Sequence, residues 1–106
     1  MAKENGEEKR MLLRFSERER MWAAVRLLLR LGYGGARGSA YRLATGEYLL
    51  WVQGLRGKYR YSVLLGMMEE YGQREENAAA VAYWQEYGEC LWQEQPLRKM
   101  IEGDAV

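Results

Sequence analysis

The chain has 106 residues, with 16 lysines and arginines, 15 aspartates and glutamates, no histidine and a single cysteine. This length suits one domain, and the net charge of +1 gives no strong overall attraction to nucleic acid or to a membrane surface. Without histidine or a cysteine cluster, the chain offers no metal site and no activated nucleophile. We therefore predict a binding protein with no catalytic residues, no cofactor and no metal.

The first ten residues carry six charged side chains and no aromatic or β-branched residue. This composition is typical of a solvated tail, so we predict a tail over residues 1–10 and a single domain over residues 11–106. No apolar stretch suits a signal peptide or a bilayer span, and one unpaired cysteine suits a reducing compartment. The predicted location is the cytoplasm, without membrane association.

Residues 11–15 are apolar except for one arginine, and they predict a strand that leads directly into a helix. Ser16 and Glu19 have the spacing of a capping box, in which each side chain binds a backbone amide of the other residue. We therefore predict a helix over residues 17–31 that ends at Gly32.

Two segments rich in tyrosine, leucine and tryptophan follow, at residues 39–43 and 47–53. The turn between them contains Gly46, so together they predict a β-hairpin. Both faces of the second segment are apolar, which predicts a strand in the middle of a sheet. The glycine-rich residues 32–38 follow a helix and precede a strand, which is the reverse of the order in phosphate-binding loops.

Helical spacing resumes over residues 59–71 and predicts a second helix with Gly72 as a left-handed cap. Residues 73–77 are polar and predict a loop. Residues 78–85 have high helix propensity, but a strand is favoured by Tyr83, Trp84, Tyr87, Leu91 and Trp92. Helix and strand therefore both stay open at 78–82. Pro96 predicts the first turn of a short last helix.

The tripeptide Glu-Tyr-Gly occurs twice, as Glu70-Tyr71-Gly72 and as Glu86-Tyr87-Gly88. Each copy closes an apolar run with an acid and a glycine, so we predict that similar local geometry displays the two acids. From these residues alone, solvated acids at the ends of elements, with tyrosines that fill the core, are the simpler interpretation.

Several segments, taken together in order and spacing, resemble the C-terminal domain of the MecA family. The members of this family are adaptors of the ClpC unfoldase in Gram-positive bacteria. The resemblance covers residues 11–101. The segments are Leu-Arg-Phe at 13–15, Ser-Ala-Tyr-Arg-Leu at 39–43, Glu-Tyr-Leu-Leu-Trp-Val at 47–52, Met-Glu-Glu-Tyr at 68–71 and Trp-Gln-Glu-Tyr-Gly at 84–88.

This resemblance implies an α/β (α+β) fold: a two-layer sandwich with a mostly antiparallel sheet packed against helices, in the order β-α-β-β-α-β-α. It favours a strand over residues 83–92, with Gly88 at a bulge or kink. The alanine run at 78–82 departs from the more β-branched family pattern, so a helical turn there stays open. Arg18 and Arg20 lie at a helix start that is more acidic in the family.

The resemblance also implies an adaptor function. Such a domain binds the N-terminal and linker regions of a ClpC-type AAA+ ATPase, promotes its assembly and regulated proteolysis, and so takes part in competence regulation. A separate domain, which this chain lacks, would capture the substrate. The implied partner-binding residues are Glu69, Glu70, Tyr71, Glu86 and Tyr87, with the acids paired to basic residues of the ATPase.

Arginines crowd the first 60 residues among aromatic residues, and such a surface could instead bind single-stranded RNA. The aromatic residues concerned are Trp22, Tyr33, Tyr41, Tyr48 and Trp51. The glycine-aromatic signature of an RNA-recognition motif is missing, however. Pairing of the arginines with the many glutamates explains them more simply, so nucleic acid is not the predicted partner.

Overall fold

The computed structural model describes residues 10–57, 59–77 and 79–104. Five strands and four helices follow one another along these residues, and every strand pairs antiparallel with its neighbours in one open sheet of order β4-β1-β3-β2-β5. The elements are β1 (Arg10–Phe15), α1 (Arg18–Arg30), β2 (Arg37–Arg42), β3 (Tyr48–Gln53), α2 (Tyr61–Met68), β4 (Gln73–Arg74), α3 (Ala80–Tyr87), β5 (Glu89–Pro96) and α4 (Leu97–Asp104). The predicted α/β class with an antiparallel sheet is confirmed.

The predicted hairpin is β2 and β3, which pair from Arg42 opposite Tyr48 to Arg37 opposite Gln53. On its other side β3 pairs with β1, so β3 is the central strand of the sheet, as predicted. Its Leu50 belongs to the main core and Leu49 to a smaller cluster on the opposite face. Apolar residues on both faces of β3 are therefore explained by burial on both faces.

Three helices, α1, α2 and α4, cover one face of the sheet and form the main core with it. The last turn of α1 ends as predicted at Gly32, whose φ is +96°. The Gly32 amide donates to the Leu29 carbonyl and the Tyr33 amide to the Leu28 carbonyl, at 3.1 and 2.9 Å. This is a Schellman ending, in which glycine accepts the left-handed conformation without a Cβ clash.

The short helix α3 lies on the opposite face of the sheet. Its Trp84 is buried against Tyr41 of β2 and Leu49 of β3. The prediction of a strand over residues 83–92 is therefore wrong for residues 83–87, which are helical, and right for residues 89–92 in β5. Residues 80–82 are helical too, as their alanine content favoured, while residue 78 lies outside the described residues.

Gly88 is the C-cap of α3 and not a bulge. The irregular pairing of β2 with β5 lies further along, where Glu94 has a φ of +50° and its amide donates to the Ser39 hydroxyl at 2.9 Å. The predicted last helix is confirmed as α4, which begins at Leu97. Pro96 is the last residue of β5, so the prediction that it lies in the first turn of that helix is wrong.

Two predicted helix ends are wrong, and so are the first two residues of a predicted loop. The N-cap of α1 is Glu17, without a side-chain capping bond, so the capping box of Ser16 and Glu19 does not form. Gly72 is not a left-handed cap, because α2 already ends at Met68 with Glu69 as C-cap. The predicted loop at 73–77 begins as β4, which pairs with β1.

The predicted tail over residues 1–10 lies outside the described residues, apart from Arg10, which begins β1. Among the helices that the structure describes, none is long and apolar enough to cross a bilayer.

Candidate functional site

The first Glu-Tyr-Gly copy forms the turn that follows α2. The amides of Tyr71 and Gly72 donate to the Met68 carbonyl, at 2.9 and 3.3 Å, and close this turn. Glu69 and Glu70 are exposed, whereas Tyr71 is half-buried and packs against the main core. The tyrosine thus holds the turn in place while both carboxylates face solvent.

Gly72 fixes this turn against β1. A Cβ atom on Gly72 would lie 2.6 Å from the Arg14 carbonyl oxygen and 2.6 Å from the Phe15 ring. Since real Cβ atoms do not approach other atoms so closely, a residue with a side chain requires the turn to move away from β1. The glycine therefore sets the position of the two acids that precede it.

An open depression of about 590 Å³ lies beside this turn, and we call it the first depression. Its walls come from the start of α1, the end of β1, the residue before β3 and the turn after α2. Its charged residues are four acids and two bases: Glu17, Glu47, Glu69, Glu70, Arg14 and Arg20. The formal balance is negative, so the first depression favours a basic ligand.

The two arginines of the first depression do not neutralise Glu69 or Glu70. Arg14 Nε lies 3.5 Å from Glu75 Oε1, and its guanidinium also donates to Gln73. Arg20 donates to the backbone carbonyl of Glu70, at 3.4 Å, and not to its carboxylate. Within the described parts of the chain, the Glu69 and Glu70 carboxylates take part in no ion pair, so they can accept basic groups from a partner.

The second copy closes α3. Glu86 is exposed in the last turn, and a Cβ atom on Gly88 would lie 2.6 Å from the Trp84 carbonyl oxygen. Both copies lie near the end of an eight-residue helix, but Glu70 is in the turn after α2 whereas Glu86 is within α3. A Cβ atom on Gly72 would meet a carbonyl of β1, and one on Gly88 would meet a carbonyl of its own helix. The two acids thus share a place near a helix end, and the prediction of similar local geometry is wrong beyond that.

The two tyrosines of the copies differ in their surroundings. Tyr87 is 65% exposed, so the interpretation that it fills the core is wrong. Its ring lies 4.9 Å from the ring of Tyr83, one helical turn earlier, and the two form an exposed aromatic pair. Tyr83 was missed in the sequence because its segment was predicted as a strand. A helix over residues 80–87 would have placed Tyr83 beside Tyr87.

Helix dipoles strengthen the negative potential at both copies. The C-terminal end of a helix carries a partial negative charge, and neither α2 nor α3 has a basic residue in its last turn. Acids at these ends do not stabilise their own helices. Their negative charge instead adds to that of the helix end and attracts cationic groups of a binding partner.

The carboxylate of the neighbouring Glu89 is already paired within the domain. It forms an ion pair with Arg42 that joins β5 to β2. The hydrogen bond that the Arg42 guanidinium donates to the Glu89 carboxylate raises the pKa of Arg42 above its ordinary value. Glu86 is exposed and forms no ion pair among the described residues. Of these two acids, Glu86 is therefore the one that can bind a partner.

A second depression, of about 470 Å³, lies between α3 and the sheet. Arg14 and Glu47 line both depressions and separate them. Of the five predicted residues, Glu69, Glu70 and Tyr71 line the first depression, while Glu86 and Tyr87 line neither. The structure thus groups three of the predicted residues and leaves two at the end of α3, on the face of the sheet opposite to α2.

The sequence profile of the family described as "Negative regulator of genetic competence (MecA)" matches residues 1–100. The chain belongs to the MecA family. This match confirms the resemblance noted in the sequence. Among curated protein sequences, none matches significantly.

Solved structures similar to this MecA family chain include isolated C-terminal domains. The crystal structure of the C-terminal domain of YpbH has a TM-score of 0.69 at 20% identity and covers 91% of this chain and 99% of that one. For the crystal structure of the C-terminal domain of MecA, the TM-score is 0.68 at 20% identity, with 92% and 100% covered.

A third similar chain comes from a study titled "Structural dynamics of the MecA-ClpC complex revealed by cryo-EM". Its TM-score is 0.62 at 19% identity, over 92% of this chain and 97% of that one. At these identities, the similarity shows that the fold is shared.

Proposed function

We propose that this domain is an adaptor that binds a ClpC-type AAA+ unfoldase, promotes its assembly and thereby regulates proteolysis. The observation that carries the proposal is the shared fold with a chain from a MecA-ClpC complex, over nearly the full length of both chains, in a domain of the MecA family. The proposed contacts on the ATPase are its N-terminal and linker regions.

The exposed acids supply a physical basis for this binding. Glu69, Glu70 and Glu86 are exposed at two helix ends whose dipoles add negative potential. Complementary basic residues on the ATPase would be attracted over several ångströms and would then form charge-assisted hydrogen bonds. Tyr71 would hold the first pair of acids in position, and Tyr87 would contact the partner beside Glu86.

Several further parts of the proposal rest on the sequence. The domain would act by binding alone, since the chain has no histidine to serve as a general base or metal ligand. It would act in the cytoplasm, without a cofactor, while another domain captures substrates.

RNA binding receives no support from the positions of the aromatic residues. Trp22, Tyr33, Tyr41 and Tyr48 are at most 9% exposed. A base can stack only on a ring whose face is accessible. Of the five rings on which this alternative depended, only Trp51 is partly exposed, so we do not propose an RNA-binding function.

Size-exclusion chromatography with light scattering tests the proposed function. The domain is mixed at micromolar concentration with the ClpC-type ATPase from the same organism, with and without ATP. We expect co-elution and a shift of the ATPase towards the mass of a hexamer. An ATPase that neither co-elutes nor assembles would show that the proposed function is wrong.

A further inference from the structure

The second depression has an apolar floor. Its aliphatic and aromatic lining residues are Leu43, Ala79, Ala80, Tyr83 and Trp84. Trp84 is buried, whereas Leu43 and Ala80 are only partly covered. A side chain of aliphatic character would therefore gain apolar contact here without displacing any part of the fold.

Tyr83 is an unusual surface residue. Among the described residues, three large apolar side chains are extensively exposed: Val63 at 48%, Tyr83 at 54% and Tyr87 at 65%. Two of these three are in contact with each other on α3. Because each tyrosine limits the motion of the other, the pair offers a binding surface that loses little side-chain entropy when a partner binds.

The second depression is continuous with the proposed contact surface. Arg14 and Glu47 form its boundary with the first depression, and both residues line both depressions. Arg14 is held by Glu75, so its charge is compensated locally. The Glu47 carboxylate accepts a hydrogen bond from the Thr45 hydroxyl and takes part in no ion pair among the described residues, so it is a negative group between the two depressions.

We propose that the second depression accepts an aliphatic side chain from the same segment of the ATPase whose basic side chain pairs with Glu69 and Glu70. Tyr83 is then a contact residue of this interface. The occupant is a basic-aliphatic segment, because the first depression is negative and the second has an apolar floor beside Glu47. This inference rests on the proposed function and extends the interface beyond the two Glu-Tyr-Gly copies.

Binding of the ATPase to variants of Tyr83 tests the inference. Tyr83→Ala removes the ring from the lining of the depression, and we expect the dissociation constant to rise about tenfold, as for an aromatic residue that a partner buries. Tyr83→Phe keeps the apolar ring and should bind within about twofold of wild type. Val63→Ala is the matched control, because Val63 is exposed on α2 and lines neither depression.

Salt dependence separates the two parts of the interface. Because apolar contacts are not screened, the loss caused by Tyr83→Ala should persist as salt concentration rises. The loss caused by Glu70→Lys should become smaller, because that contact is electrostatic. Circular dichroism and thermal melting of each variant show whether the fold is intact. Since Tyr83 is exposed and alanine favours helix, we expect no loss of stability.

The possible results distinguish the inference from the proposed function. If the wild-type domain binds the ATPase and Tyr83→Ala binds equally well, the second depression is not part of the interface and the inference is wrong, while the proposed function stands. If the wild-type domain does not bind at all, the proposed function fails, and the inference with it.

Discussion

The carbonyl oxygen of Arg14 lies 2.6 Å from the position that a Cβ atom would take on Gly72. The turn after α2 can approach β1 this closely only because residue 72 has no side chain. The positions of Glu69 and Glu70 therefore depend on a backbone contact that neither of their side chains makes.

Gly72→Ala should lower the free energy of unfolding by about 1–3 kcal/mol, because the added methyl group forces the turn and β1 apart. Gly66→Ala is the matched control, since Gly66 lies in α2 and a Cβ atom there meets nothing within 4 Å. This control should instead gain about 0.5–1 kcal/mol from the helix propensity of alanine. Urea denaturation measures both changes in the free energy of unfolding. If the two variants changed it equally, the close approach of residue 72 to the Arg14 carbonyl would not matter for stability.

The two tyrosines of the repeated tripeptide should respond differently to truncation. Tyr71 packs against the main core, so Tyr71→Ala should cost about 1–3 kcal/mol of stability. Tyr87 is largely exposed, so Tyr87→Ala should change stability by no more than about 0.5 kcal/mol. Thermal melting of both variants checks this difference, which disappears if Tyr87 is packed as tightly as Tyr71.

Tyr61, at the start of α2, should make stability sensitive to alkaline pH. Burial raises the pKa of its phenol above the ordinary value of 10. The folded state therefore holds this proton more tightly than the unfolded state, and the resulting stabilisation is complete below pH 10 and is lost as pH rises through the folded pKa.

Tyr61→Phe removes this ionisation and keeps the ring. Between about pH 8 and about pH 11, its urea midpoint should fall less than that of wild type. An identical fall in both proteins would show that Tyr61 ionises equally easily in the folded and unfolded states.

The hairpin, the central strand and the end of α1 could be predicted because their patterns are local. Apolar residues on both faces of β3 indicate a strand in the middle of a sheet. A glycine that follows a helical pattern, as at position 32, indicates the end of the helix. The two-residue strand β4 could not be predicted, since its pairing with β1 depends on where Gly72 places the chain.

The segment from Ala80 to Tyr87 was ambiguous because helix propensity and aromatic content favoured different structures. The segment is helical because a helix buries Trp84 against Tyr41 and Leu49, on the face of the sheet opposite to the main core. The sequence alone does not reveal that this face of the sheet is also covered by a helix. The missed helix is also why Tyr83 was missed and why the simpler interpretation of the tripeptides placed Tyr87 in the core. Glu70 and Glu86 could be proposed as binding residues because a repeated tripeptide is visible without knowing the fold, and Glu69 is the neighbour of Glu70.

The pair Glu70→Lys and Glu86→Lys changes the charge at both helix ends. Both residues are exposed, so the double variant should keep its melting temperature, because exposed substitutions alter stability little. Glu102→Lys provides a charge-reversal control on α4, away from both depressions. If the acids act by steering, the double variant should associate at least about tenfold more slowly, and this difference should shrink at high salt.

The most direct test of the account is therefore the affinity of the ClpC-type ATPase for wild type, for the double variant and for Glu102→Lys, measured by biolayer interferometry at low salt. We predict tight binding of wild type and of Glu102→Lys, with binding of the folded double variant abolished. Binding of the double variant at wild-type strength would contradict the account, because Glu70 and Glu86 would then be ordinary solvated acids and the ATPase would contact another surface.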